Sequence, residues 1–182
     1  RYGRKPVLIG SVILFIVAAV ASIFSPNIHI FNISRLFQGL GASGGYFLAR
    51  TIPADLYSGR ALARLMAITG AINGVAPASA PVIGGVTADA WGWKGVFLVL
   101  AAFALVILAI SPLVKESLPP SRRTTGPWWK SLRGYGALLR DRPFIIHICY
   151  KGFALGILFA YLSAAPFILQ DHYGLSQTRY GL

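Results

Sequence analysis

Long apolar stretches without charge constrain this chain more than any other feature of its sequence. Five stretches are almost wholly apolar: residues 6–25, 28–50, 65–88, 95–114 and 152–170. All of them except 28–50 lack Asp, Glu, Lys and Arg. A helix that crosses the roughly 30 Å hydrocarbon core of a bilayer needs about 20 such residues. Because backbone groups inside a bilayer must pair with one another, the sequence predicts an all-α integral membrane protein with about five transmembrane helices.

The composition argues against a soluble domain built around the same helices. Only 12% of the residues are charged and 55% are hydrophobic, whereas a soluble domain has about 25% charged residues. A buried core helix could explain one apolar stretch, but too few polar residues remain to cover five of them. The stretches also lack the strict alternation of membrane barrel strands.

The distribution of positive charge predicts how the chain is oriented. Lys and Arg number 17 against five Asp and Glu, which gives a net charge of +12. With the first residue in the cytoplasm, thirteen basic residues lie on the cytoplasmic side and only Lys94 and Arg179 lie outside. This bias follows the positive-inside rule. The lipid bilayer therefore explains the basic charge, and no nucleic-acid partner is predicted.

One long connection divides the predicted spans into two groups. Residues 115–142 carry seven of the basic residues and separate residues 1–114 from residues 143–182. We expect the first range to be part of one helical bundle, the connection to be a cytoplasmic loop, and the last range to begin a second bundle. Within the loop, residues 128–140 favour either a helix on the membrane surface or a disordered basic linker.

The second apolar stretch contains an arginine at an unusual depth. Arg35 stands about seven residues, or roughly 10 Å, inside the outer end of the stretch. An ionisable residue at that depth normally faces a bundle interior or an aqueous cavity. Asn32 and Gln38 lie three residues before and after it, on the same helical side. This predicts a polar site within the membrane, and the alternative is an arginine that snorkels to the outer surface.

Three further features of the spans bear on helix shape and contacts. The third stretch is rich in residues that weaken or bend a helix: Gly70, Gly74, Pro77, Pro81, Gly84 and Gly85. Proline removes a helix hydrogen bond, so a bend is predicted there. Glycines four apart, as at Gly41 and Gly45, predict close helix contacts.

Lys151 in the last stretch either snorkels to the cytoplasmic side or contacts a substrate.

The residues that usually carry catalysis are not arranged in any recognisable pattern. Cys149 is the single cysteine, so the chain has neither an internal disulfide nor a CxxC metal site. No nucleophile–base pair, carboxylate pair or cluster of metal ligands is apparent in the sequence. We therefore predict no enzyme activity, no cofactor and no metal.

Four motifs resemble those of the major facilitator superfamily. Residues 1–5, RYGRK, resemble the second half of its loop motif, and residues 35–41, RLFQGLG, resemble the R-x-x-Q-G-x-G motif of its fourth helix. Residues 70–85 are similar to the antiporter motif of its fifth helix, and residues 91–97 resemble the W-R-W-x-F stretch before its sixth. Residues 55–60 and 115–119 look most like the bicyclomycin/chloramphenicol-resistance type of drug:proton antiporter.

The resemblance implies a fold and a function for the chain. It would hold helices three to seven of a twelve-helix protein of the bacterial inner membrane. That protein would export drug-like small molecules by alternating access, driven by protons. Two alternatives stay open: a major facilitator transporter of a sugar, nucleoside or other metabolite, and a membrane enzyme or assembly factor that does not transport.

We expect roles for individual residues in such a transporter, of which the Arg4–Asp55 pair follows from the resemblance. Arg35 and Gln38 would take part in proton coupling, and the substrate pathway would include Asn32, Asn73 and Lys151. The gating loop would consist of Gly3, Arg4, Lys5 and Asp55, with an Arg4–Asp55 ion pair that holds the outward-open state. The glycines and prolines of the third stretch would bend their helix as the pathway opens.

Overall fold

The computed structural model describes residues 3–119, 121, 123, 136 and 138–173, and these contain helices and no strand. Helices α1, α2 and α3 are Arg4–Ile23, Ile28–Leu56 and Gly59–Ile110, and a 3-10 turn, Ser111–Leu113, follows α3. Helix α4, Arg142–Pro166, runs on into a π-helical turn, Phe167–His172. The all-α prediction is confirmed. The predicted surface helix at 128–140 lies, except for Gly136 and residues 138–140, outside the described part of the chain.

Local sequence explains where the first helices begin and end. The side chain of Asn27 accepts a hydrogen bond of 2.9 Å from the backbone N–H of Ile30 and so caps the start of α2. Pro53 lies in the last turn of α2, and Tyr57 just beyond the helix is extended. Ser58 then precedes α3, so a sharp two-residue turn joins the two helices.

Helix α3 is two helices joined at a glycine. Gly92 has φ 67° and ψ −175°, in the left-handed half of backbone space that suits glycine. We call residues 59–91 the first arm and residues 93–110 the second arm. The break falls in the turn that the sequence predicted between the spans 65–88 and 95–114. Pro77 and Pro81 lie inside the first arm, where the described backbone keeps helical angles.

Three helical segments are long and apolar enough to cross a membrane among the residues that the structure describes. They are Arg4–Ile23, Ser79–Leu113 and Arg142–Leu169. The predicted spans 28–50 and 65–88 are also helical but are less apolar. The first contains Arg35 and several polar residues, and the second consists largely of small residues. Their passage through the bilayer stays a prediction.

The chain divides into two units, one with α1 to α3 and the other with α4. Within the first unit, α1 packs against both α2 and α3, whereas α2 and α3 touch each other far less. The buried apolar side chains of this unit are mostly small: Val12, Ala18, Ala19, Leu48, Phe97, Ala101 and Ala104. Most of its large apolar side chains point outward, as suits helices that face lipid or further helices.

Two glycines of α2 set the distance between α2 and α1. A β-carbon at Gly41 would come within 2.7 Å of the backbone N of Phe15 and the backbone O of Ser11. One at Gly44 would collide with the hydroxyl of Ser11, and one at Gly45 would meet nothing within 4 Å. Gly41 is therefore a close-contact residue as predicted. Its partner in this role is Gly44 rather than Gly45, because of the way α2 is rotated against α1.

We expect Gly41→Ala to destabilise the full-length protein by about 1–3 kcal/mol, because backbone atoms cannot move aside for the new methyl group. Gly45→Ala is the matched control and should be neutral or stabilising, since alanine favours a helix over glycine. The measurement is the midpoint of thermal unfolding of the purified protein in detergent. Equal midpoints for the two variants would contradict the close contact at Gly41.

Candidate functional site

Arg35 is held within the first unit by one amide and one aromatic ring. Its Nη1 atom donates a hydrogen bond to Oε1 of Gln38, which is only 3% exposed. Its guanidinium carbon lies 5.3 Å from the centre of the Phe97 ring. Arg35 itself is exposed, and at an exposed site a cation over an aromatic face is stabilised by about 0.5–1 kcal/mol. Arg35 and Gln38 lie side by side as predicted, whereas the contact between Arg35 and Phe97 was not predicted.

The site offers hydrogen-bond donors. Because Oε1 of Gln38 accepts from Arg35, the other amide atom, Nε2, must be a donor. That atom is buried and has no partner among the described residues. A cavity of about 290 Å³ is lined by Phe15, Arg35, Gln38, Gly39, Ala42 and Leu100. Such a site suits an acceptor group, for example a carboxylate or a carbonyl.

A larger cavity lies between α1, α2 and the second arm. Its volume is about 540 Å³, and apolar side chains such as Leu8, Phe15 and Phe103 line it. No charged residue lines it. We therefore place the candidate site at the smaller cavity, which Arg35 and Gln38 line.

The structure does not bring the other predicted polar residues to Arg35. Asn32 is exposed on α2 and, among the described contacts, forms no hydrogen bond with Arg35. Asn73 is exposed on the first arm of α3, and Lys151 is exposed on α4 in the other unit. Their place on a substrate pathway stays a prediction. The same holds for the helix-bending residues, of which Gly70, Gly74 and Gly84 have open space beside them.

A second polar group, which we call the inner cluster, joins the start of α1 to the end of α2. Nε of Arg4 lies 3.0 Å from Oδ2 of Asp55. The hydroxyl of Ser117 donates to the same carboxylate oxygen over 3.2 Å. The predicted contact between Arg4 and Asp55 is therefore confirmed. Both side chains keep about a quarter of their surface exposed, at 29% and 24%, so water still reaches the pair.

Glu116 completes the inner cluster by capping α1. Its carboxylate accepts hydrogen bonds from the backbone N–H groups of Arg4 at 2.7 Å and of Lys5 at 3.3 Å. It also accepts one from the backbone N–H of Leu118. A negative charge at a helix N-terminus is favourable because unpaired N–H groups point toward it. Gly3, with φ 90°, leaves the space that this carboxylate occupies, since a β-carbon there would collide with it.

The same hydrogen bonds determine how the cap responds to pH. The hydrogen bond from Arg4 N–H, followed by that from Leu118, holds the pKa of Glu116 below its ordinary 4.5. A lowered pKa means that the ionised cap stabilises the folded chain fully above pH 4.5. That contribution is lost only as the pH falls through the lowered value. The cap is therefore ionised throughout the neutral range.

Sequence reasoning did not identify Glu116 or Ser117 as site residues. One signal was available: Glu116 is among only five acidic residues and follows the last span of the first bundle. It stands on the same predicted side of the membrane as the N-terminus of α1. Among the described residues, no group of three or more His, Cys, Asp or Glu is placed to hold a metal ion.

The family model of the Major Facilitator Superfamily matches residues 1–182. The chain belongs to the Major Facilitator Superfamily. Family membership and the long apolar helices make the chain part of a multi-pass membrane protein.

Two curated relatives in this superfamily show how much of such a protein the chain represents. The uncharacterized MFS-type transporter YdgK of Bacillus subtilis is 37% identical over 176 residues, which cover 95% of this chain and 44% of YdgK. The multidrug resistance protein MdtL of Escherichia coli O127:H6 is 26% identical over 180 residues, which cover 99% of this chain and 45% of MdtL. The chain therefore spans less than half the length of these relatives.

Proposed function

We propose that the full-length protein exports small drug-like molecules across the bacterial plasma membrane in exchange for protons. The observation that carries this proposal is Arg35, a permanent cation inside the predicted span 28–50, where its guanidinium contacts Gln38 and Phe97. Support for drug-like substrates comes from the motif resemblance and from the name of the relative MdtL, a multidrug resistance protein.

Arg35 acts on the transported proton indirectly. An arginine keeps its proton at any ordinary pH, so it cannot carry the proton itself. A cation within about 4–6 Å of a carboxylate lowers the affinity of that carboxylate for protons. When the conformational change separates the two, the carboxylate binds a proton more readily. Proton uptake is thereby tied to the state of the transporter, and the donors at the Arg35 site suit a carboxylate partner.

The inner cluster acts as the gate on the cytoplasmic side. It ties the start of α1 to the end of α2 and to the segment after α3. In a transporter that alternates between two states, a modest interaction present in only one of them shifts the populations. We infer that the Arg4–Asp55 pair and the Glu116 cap stabilise the outward-open state.

We expect inside-out vesicles from cells that make the full-length protein to accumulate radiolabelled chloramphenicol or ethidium when respiration acidifies them. A protonophore should abolish the accumulation, because export depends on inward proton flow. Vesicles from cells with an empty vector are the control. Accumulation that survives the protonophore would contradict proton coupling. Movement of labelled sugars or nucleosides without movement of either drug would favour the metabolite alternative.

A further inference from the structure

Helix α2 meets the second arm of α3 through three aromatic rings. Phe31 belongs to α2, and Trp93 and Phe97 belong to the second arm; we call these residues the aromatic triad. Every pair of their ring centres lies 5.5–6.0 Å apart, with planes at 82–86°. This edge-to-face geometry is the favourable one for aromatic pairs. Because α2 and α3 touch little elsewhere, the aromatic triad is a principal contact between them.

The aromatic triad has Arg35 on one side and the break of α3 on the other. Phe31 and Arg35 are four residues apart and share a face of α2, as Trp93 and Phe97 do on α3. The guanidinium of Arg35 lies over the Phe97 ring, and Phe97 is 8% exposed. Trp93 directly follows Gly92, where the helix is interrupted. A continuous line of ring contacts therefore runs from the turn at Gly92 to Arg35.

We propose that Phe97 is a positioning residue for Arg35 and that the aromatic triad couples the Gly92 turn to Arg35. This inference rests on the proposed function. Phe97 acts by holding the guanidinium in place beside Gln38. When the second arm of α3 shifts during transport, Phe97 moves with it and displaces the Arg35 guanidinium. Through this link, a movement of the Gly92 turn would change the proton affinity of a carboxylate placed beside Arg35.

The test compares Phe97→Leu with Phe97→Tyr in the full-length protein, at matched expression and in the vesicle assay with radiolabelled chloramphenicol. Leucine fills most of the space without an aromatic face, so uphill export should fall about twofold to fivefold. Tyrosine keeps the face and should retain most of the activity. The matched control is Phe103→Leu, on the same arm and 60% exposed, which should export normally.

Two readouts separate positioning from a merely structural role. With the cation held less firmly, the carboxylate binds protons more readily, so the pH of half-maximal export should rise in Phe97→Leu. Arg35→Ala leaves no cation for the ring to hold, so adding Phe97→Leu to Arg35→Ala should cost about twofold or less. An unshifted pH profile together with independent losses in the double variant would overturn the proposal.

A second variant covers the case in which Phe97→Leu does not reach the membrane. Phe31→Leu removes a ring that supports Phe97 but leaves the Phe97 face against Arg35. It should raise the pH of half-maximal export in the same direction, and an unchanged profile would count against the aromatic triad. Failure of the unmodified protein to export chloramphenicol would count against the proposed function instead. If the unmodified protein exports chloramphenicol and Phe97→Leu exports it equally well with an unchanged pH profile, only the positioning role of Phe97 is overturned.

Discussion

Arg35→Ala is expected to lower uphill export by about tenfold or more, because the cation that controls proton affinity is lost. Arg35→Lys keeps the charge but lacks the planar set of donors, so it should retain only a fraction of the activity. The measurement is respiration-driven accumulation of radiolabelled chloramphenicol in inside-out vesicles, with the amounts of each variant matched. Downhill movement of the drug should be affected less than uphill export, since coupling is what the cation provides.

Arg50→Ala supplies a matched control on the same helix. The guanidinium of Arg50 also rests on an aromatic ring, 4.6 Å from the centre of Tyr46, and donates to the Tyr46 hydroxyl at 2.6 Å. It differs from Arg35 in lying at the end of the predicted span, where a cation reaches the cytoplasmic surface easily. Arg50→Ala should export almost normally. Near-normal export by Arg35→Ala would instead identify Arg35 as a snorkelling residue and end the coupling hypothesis.

Arg4→Asp is expected to give the second large loss of transport. The change removes the partner of Asp55 and places a like charge near both Asp55 and Glu116. An ion pair that keeps about a quarter of its side-chain surface exposed contributes about 1 kcal/mol or less, which corresponds to about a fivefold change in the ratio of two states. With the added repulsion, export should fall about fivefold or more. Asp55→Arg in the same chain should restore part of it, because the pair is rebuilt in reverse.

Arg60→Asp tests whether charge alone explains such a loss. Arg60 is exposed at the start of α3 on the same predicted side, and within the described chain it forms no ion pair. The same change of charge there should leave export close to normal. Export rates in vesicles, normalised to protein in the membrane, make the comparison. If the chain with both Arg4→Asp and Asp55→Arg exports no better than the worse of these two single variants, the Arg4–Asp55 gate loses its support.

Sequence reasoning reached part of the candidate site because that part is local. Arg35 and Gln38 are three residues apart on one helix, so helical spacing alone brings them together. The Arg4–Asp55 contact joins residues far apart in the chain, and it was predicted through the family resemblance. Glu116 and Phe97 were not assigned to the site, because each reaches it from another helix or loop. Gly45 was assigned to a helix contact that Gly44 makes instead.

The sequence by itself determined that this chain is helical and belongs in a membrane. Uncharged stretches of about 20 residues are long enough to cross a bilayer, where no water is available to bond the backbone. The backbone N–H and C=O groups must then bond one another within a helix, whatever the packing of the side chains. The tertiary structure alone decided which face of each helix meets its neighbour. The rotation and axial offset of two helices depend on how their side chains interlock over many residues. That interlocking placed Phe97 on Arg35, Ser11 against Gly44, and Glu116 over the first turn of α1.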